Sequence, residues 1–174
     1  MPIDARHPRE IREAIRRGKY TGVTAGLAPG FAQANLAILP REHAYDFLLF
    51  CQRNPRPCPL IEVTDAGSPE PVGVAPGADL RTDLPRYRIY RDGALAEEVT
   101  DITPYWRDDL VAFLLGCSFT FERALLDAGV PLRHIEEGRN VAMWRTSIAC
   151  RPAGRFHGPV VVSMRPVPNE LVPK

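Results

Sequence analysis

The chain has 174 residues, 45% of them apolar, with 22 Lys and Arg against 21 Asp and Glu for a formal net charge of +1. That length sustains one good hydrophobic core or two small lobes sharing an interface, and the charge balance removes the basic excess on which nucleic-acid binding depends. No run approaches the roughly 20 apolar residues that cross a bilayer, and Met1-Pro-Ile-Asp-Ala-Arg-His-Pro8 has no apolar signal core, so a cytoplasmic protein with neither a membrane nor a nucleic-acid partner is expected.

Four cysteines without a secretory signal point to reduced thiols rather than a disulfide framework. The 18 prolines imply fixed turns between short elements and not disorder, because the apolar content is that of an ordinary globular domain.

Residues 8–17 carry Ile11 and Ile15 on one face and charges on the other, with Gly18 as a stop, which predicts a short amphipathic helix. A loop of small residues follows at 21–30. It lacks the Gly-Lys-Ser/Thr ending of a P-loop and the Gly-x-Gly-x-x-Gly of a dinucleotide site. Residues 35–39 read as a buried strand ended by Pro40. Residues 42–53 read as a helix with Ala44, Phe47, Leu48 and Cys51 inward, broken by Asn54-Pro-Arg-Pro-Cys-Pro59. Residues 60–63 form the next strand, and the spacing predicts a strand–helix–strand unit with parallel pairing.

Residues 65–84, rich in Gly, Pro and Asp, are expected to be a long ordered connection, and a subdomain junction falls near 65–85. Residues 87–90 and 95–99 around Asp92-Gly93 carry a hairpin signal, since Asp-Gly is a preferred pair for a tight primed turn. Thr103-Pro104 has the form of a helix start. It leads into Leu110-Val-Ala-Phe-Leu-Leu-Gly-Cys-Ser-Phe-Thr-Phe-Glu-Arg-Ala-Leu-Leu-Asp-Ala-Gly129, read as an apolar helix to Gly116, a polar notch at Cys117-Ser118 and a second helix. Ser118 is the expected N-cap, with Phe121, Leu125 and Ala128 as a buried stripe and Gly129-Val130-Pro131 closing the helix. Strand-like segments then occupy 132–135, 142–148 and 160–164, and residues 169–174 begin a helix with no room to finish it. The fold class expected is α/β: a mixed sheet with flanking helices in two small subdomains, one a parallel strand–helix–strand unit and one an antiparallel hairpin, within a single domain over 1–174.

A thiol at a helix start meets unpaired N–H groups that favour a thiolate or a bound anion, which makes Cys117 a candidate; the alternative is a small buried hydrophobe in a tight turn. Gln33 and Asn35 are neutral donors that either point into a cleft or satisfy loop backbone. No spacing of Cys or His supports a metal site. Glu136-Glu-Gly-Arg-Asn140 gathers carboxylates, a guanidinium and an amide, and Arg151, Arg155 and His157 crowd a rigid loop opened by Cys150. Arginines held on such turns suit bidentate recognition of a carboxylate.

On Thr24-Ala-Gly-Leu-Ala-Pro-Gly30 with Gln33-Ala-Asn35, residues 50–59, Pro76-Gly-Ala-Asp79, Arg81-Thr-Asp-Leu-Pro85, Gly116-Cys-Ser-Phe119, Glu136-Glu-Gly-Arg-Asn140 and Cys150-Arg-Pro-Ala-Gly154 with Gly158-Pro159, the sequence resembles the bacterial hydro-lyase family related to the N-terminal part of mitochondrial D-glutamate cyclase. The likeness covers essentially the whole chain, against a family pattern that continues beyond Lys174. It implies a two-lobed α/β fold and loss of water from D-glutamate to give 5-oxo-D-proline. Ring closure needs a neutral amine, a neutralised side-chain carboxylate and a held oxyanion. Glu137, with its pKa raised by burial, is the candidate base. Arg139 and Arg151 are candidate carboxylate clamps, with Asn140, Ser118 and His157 as further substrate contacts. Gln33, Asn35 or the backbone N–H groups after Cys117 are candidates for the oxyanion, and Cys117 is an alternative nucleophile. The scheme calls for no cofactor and a small carboxylate as ligand, and leaves a homo-oligomer open. The alternatives are a non-catalytic module binding a 5-oxoproline-like carboxylate for a partner enzyme, and a thiol redox protein using Cys117 and Cys150.

Overall fold

The computed structural model describes residues 7–172. It is a mixed α and β fold in which a three-stranded sheet is ordered β1-β5-β2, with β1 at Ala34–Pro40, β2 at Leu60–Val63 and β5 at Leu110–Gly116. Two separate ribbons accompany it: β3 (Tyr87–Arg91) with β4 (Ala94–Val99), and β6 (Ala142–Ala149) with β7 (Pro159–Met164). The helices are α1 (Pro8–Arg16), α2 (Arg41–Arg53), α3 (Glu122–Asp127) and α4 (Arg133–Glu136).

The main correction concerns residues 110–116, which form the central strand and not a helix. An unbroken apolar run is what a strand buried on both faces requires, and periodicity cannot separate it from a buried helix. Ala112 and Phe113 are wholly buried. On one face Phe47 of α2 meets Phe113 edge to face at 4.8 Å, with Phe156 5.0 Å beyond it. On the other, Leu80, Leu36, Ile38, Leu84 and Trp106 pack around Ala112 and Leu114.

The strand–helix–strand unit β1-α2-β2 is present and its two strands run in the same direction. They are not paired with each other, because β5 lies between them and is antiparallel to both. β1 matches β5 from Ala34↔Gly116 to Pro40↔Leu110. β2 matches it from Leu60↔Leu115 to Val63↔Phe113 through an irregularity. Just past β2, Thr64 continues the contact: its N–H donates to the Ala112 carbonyl, and its hydroxyl accepts from the Ala112 N–H at 3.0 Å.

Other expectations also gave way to tertiary demands. Thr103-Pro104 starts one 3-10 turn only (Thr103–Tyr105), before the chain enters β5. Residues 132–135, read as strand, hold the buried Leu132 and the short helix α4. Phe121 and Ala128 are exposed, and the buried side of α3 is Glu122. Residues 169–171 make a single 3-10 turn.

Elsewhere local chemistry held. α1 buries Ile11 and Ile15, and its C-terminus leads to Gly18 at φ +66°. Asp92 and Gly93 take φ +50° and +79°, the primed turn their identities favour. Gly129 at φ +75° closes α3. The connection after β2 is ordered by its own acids. Asp83, with its side chain 1% exposed, accepts two 2.7 Å bonds from Arg16 of α1 and one at 2.8 Å from the Asp79 N–H.

Phe113→Ala removes the ring on which α2 and the central strand meet. We expect a loss of about 3–5 kcal/mol in urea unfolding; a loss below about 1 kcal/mol would show that the β5–α2 contact is not the core.

Candidate functional site: a buried Arg–Glu–His cluster at the end of the central strand

β5 ends at Gly116, whose N–H donates to the Pro59 carbonyl at 2.7 Å. The next N–H, that of Cys117, donates to the Gln33 carbonyl at 2.9 Å, and the Gln33 N–H donates to the Thr120 hydroxyl at 2.9 Å. The chain then winds through a 3-10 segment (Ser118–Phe121) directly into α3, so Glu122 stands at the start of that helix and is 5% exposed. Its backbone N–H is already bonded to the Phe119 carbonyl, so the carboxylate depends on side chains from other elements.

Glu122 is met from two other elements. Arg165, the residue after β7, donates through Nε to Glu122 Oε1 at 2.8 Å and through Nη2 to the same oxygen. Its Nη1 donates to the Ser163 hydroxyl at 2.9 Å and its Nη2 to the Ser118 hydroxyl at 3.1 Å, and those two hydroxyls are 2.9 Å apart. The guanidinium also lies over Phe121, 4.8 Å from its centroid, and near Phe119, a cation–π arrangement. His134 of α4 places Nε2 3.1 Å from Glu122 Oε1, off the line of a hydrogen bond, so this buried nitrogen has no hydrogen-bond partner among the described residues. The side chains of Arg165, Glu122 and His134 are 6%, 7% and 11% exposed.

Ionisable groups this deeply buried persist only when paired. With His134 neutral, the charges of Arg165 and Glu122 cancel. With His134 protonated, the unit carries one net positive charge, matched to a single carboxylate. A carboxylate, an imidazole and a guanidinium are thus brought together out of water, which gives one place both a proton acceptor and a fixed positive charge.

Of the residues expected from sequence, Cys117, Ser118 and Gln33 are gathered here. Ser118 is not an N-cap: Cys117 holds that position, without a side-chain cap, and the Ser118 hydroxyl is turned to Arg165 and Ser163. Of the backbone N–H groups around the notch, that of Cys117 donates to Gln33 and, after it, that of Thr120 donates to the Cys117 carbonyl. Gln33's amide donates to Leu27 at 3.0 Å and Thr24 at 3.4 Å, which satisfies loop backbone. Asn35 is exposed on β1 opposite Leu115.

Glu137 remains 43% exposed and pairs with Arg133 at 2.8 Å, so the burial that would make it a base is absent. Arg139 is exposed, and Asn140 uses its side-chain oxygen on the N–H of Val141. Arg151 and His157 are exposed on the 150–158 loop, which docks on the end of α2 where buried Asn54 bonds both the N–H and the carbonyl of Arg151. Beside the cluster, an open depression of about 440 Å³ is walled by Pro131, Arg133, Glu136, Glu137 and residues 166–168. Glu137 therefore lines a cleft walled by the chain neighbours of His134 and Arg165, Arg133 and Pro166, and touches none of the cluster.

The four cysteines are free thiols. Burial pushes Cys51 up to about 11, a neutral thiol at pH 7. Among the described residues no group of three His, Cys, Asp or Glu side chains is arranged to hold a metal ion, and no helix is long and apolar enough to cross a membrane.

Sequence reasoning missed Glu122, His134, Ser163 and Arg165. The available signal was faint: single polar residues inside apolar surroundings, as in Ser163-Met-Arg-Pro166, whose convergence only the fold reveals.

The family model described as D-glutamate cyclase matches residues 111–174, the segment that contains the whole cluster and excludes Gln33 and Asn35. The chain is 69% identical over 165 residues to a Stutzerimonas stutzeri protein named "Putative hydro-lyase", covering 95% of this chain and 62% of that one. It is 68% identical to a protein of the same name from Rubrobacter xylanophilus, covering 95% and 64%. The Bacillus subtilis relative named "Putative hydro-lyase YcsI" is 62% identical, at 94% and 64% coverage. The chain thus spans less than two thirds of the length of these relatives.

Removing Glu122 strands a buried guanidinium. Glu122→Ala is expected to cost roughly 3–5 kcal/mol in urea unfolding, and Glu137→Ala less than about 0.5 kcal/mol. Equal effects at the two positions would contradict the assignment of the buried cluster.

Proposed function

We propose that this chain, which belongs to the bacterial hydro-lyase family, carries the proton-handling part of a site that removes water from a small amino-dicarboxylate, with D-glutamate closing to 5-oxo-D-proline. The observation that supports this reading is the buried Arg165–Glu122–His134–Ser118 cluster lying inside the segment matched by the D-glutamate cyclase model.

The reaction moves two protons. The substrate ammonium loses both on its way to the lactam N–H, and one oxygen of the side-chain carboxylate leaves with both as water. A group that accepts and returns protons near neutrality is therefore required, and imidazole is the side chain suited to that. His134 takes the first proton from the ammonium. Glu122, 3.1 Å from its Nε2, stabilises the imidazolium that forms. The net positive charge then present attracts the carboxylate under attack and lowers the cost of charge on its oxygen as nitrogen adds.

The hydroxyls of Ser118 and Ser163 both accept from Arg165 and are bonded to each other at 2.9 Å, so one of the two keeps a free proton to donate to the tetrahedral oxyanion. His134 gives its proton to one oxygen of the former carboxylate, making it a hydroxyl, and the second proton follows the same route when the tetrahedral nitrogen releases it, so that this oxygen leaves as water. Arg165 acts here by positioning: its donors fix Glu122, Ser118 and Ser163 at once. Cys117 borders the cluster, but attack by a thiol on an ionised carboxylate would need prior activation, so it has no covalent role in this scheme.

The test is incubation of the purified chain with D-glutamate and, separately, L-glutamate, following 5-oxoproline by mass spectrometry. Product is expected from the D-isomer alone. His134→Gln should lower the rate by about 100-fold or more, while Glu137→Gln should change it by less than roughly threefold, since that exposed carboxylate touches none of the cluster. No product from either isomer, with 5-oxoproline still raising the melting temperature, would replace catalysis by carboxylate binding. Loss of turnover in Glu137→Gln but not in His134→Gln would move the base to the cleft.

A further inference from the structure

The β6–β7 ribbon presents an apolar face to solvent. Opposed residues on paired strands share a face, so Ala142↔Met164 and Trp144↔Val162 lie together on one side, while Met143↔Ser163 and Arg145↔Val161 lie on the other. On the Ser163 side only Ser163 itself is held, by Ser118 and Arg165, while Met143 and Val161 beside it stay 66% and 52% exposed; the opposite side has no such polar tie and forms the outer wall. The outer side is Ala142, Trp144, Val162 and Met164, with the three larger residues 41–56% exposed and no charged residue among them. Among the described residues β6 and β7 pair only with each other, so each has an open edge, and neither strand packs broadly on another element.

A two-stranded ribbon is marginal in water unless further strands or a packed layer support it, and open apolar edges recruit other strands. This ribbon nevertheless carries Ser163 and leads directly to Arg165.

We infer that the Ala142–Trp144–Val162–Met164 face is a docking surface for a polypeptide segment offering apolar side chains and a strand edge, namely the part of the family fold that the longer relatives carry outside the matched portion. More than a third of each of those relatives lies outside it. Where such a segment belongs to the same chain, its effective concentration at the ribbon far exceeds that of a second copy. Seated there, it completes the sheet and covers the outer wall of the ribbon that holds Ser163.

The experiment fuses this chain to the unmatched portion of the Bacillus subtilis relative, in the order found in that protein, through a protease-cleavable linker. After cleavage the two pieces are expected to co-elute, with the fluorescence of Trp144 shifted to the blue relative to this chain alone. The double variant Trp144→Lys with Val162→Lys should separate after cleavage. Both side chains are solvent-facing, so the variant chain is expected to keep its own unfolding transition, checked by circular dichroism. Separation of the unaltered pieces would overturn the inference. So would elution of this chain by itself as a dimer that the double variant breaks, which would assign the face to a second copy. The readout is association, so absence of cyclase activity would leave the result unaffected.

Discussion

Burial of β5 on both faces is the constraint on which the rest of the fold depends. A strand with no solvent on either side must find partners for its backbone N–H and C=O groups within the protein. β1 and β2 supply them from opposite edges, with Thr64 adding both its N–H and its hydroxyl at Ala112. This requirement places α2 over Phe113 and the long acidic connection over Ala112 and Leu114. It also fixes where β5 stops. At Gly116 and Cys117 the backbone bonds pass to Pro59 and Gln33, and the chain is free to turn.

Past that turn, polar contacts replace apolar ones in the interior. Three ionisable side chains from three separate segments converge where apolar packing would cost less, and they are tolerated because each charge has a partner. Glu122 has Arg165 and His134 against its carboxylate. Arg165 has Glu122, two hydroxyls and two aromatic faces. Replacing such a unit by well-packed apolar residues is often neutral or stabilising, so its presence is easier to explain by chemistry than by stability. The Nε2 of His134, left unsatisfied by the described residues, is also the atom a proton-transfer step would use.

Legibility in the sequence divided along physical lines. α1, α2, the Asp92-Gly93 hairpin, the Gly129 stop and the β6 and β7 segments were all readable, because each depends on local spacing or on one residue's backbone preference. The helix read at 110–116 failed because seven consecutive apolar residues carry no period. The strand read at 132–135 failed because the burial of Leu132 is set by its neighbours in space. Among the candidate residues, Cys117 and Ser118 were chosen for their place after an apolar run, and the fold sets them beside the buried cluster, Ser118 bonded to Arg165 and Ser163. Glu137, Arg139 and Arg151 were chosen for charge density on rigid turns, and charge density marks exposed surface as readily as a site.

The sequence by itself determined an α/β chain of balanced charge, its turns, its amphipathic segments and its resemblance to a hydro-lyase family, since composition and short-range stereochemistry are properties of neighbouring residues. Only the tertiary structure decided that β5 is the centre of an antiparallel sheet, and that Glu122, His134, Ser163 and Arg165 form one buried unit. Those outcomes rest on pairings between distant segments, such as that of Arg165 with Glu122, 43 residues apart. The energy of such a pairing depends on desolvation, which exists only once the surrounding chain has closed over it.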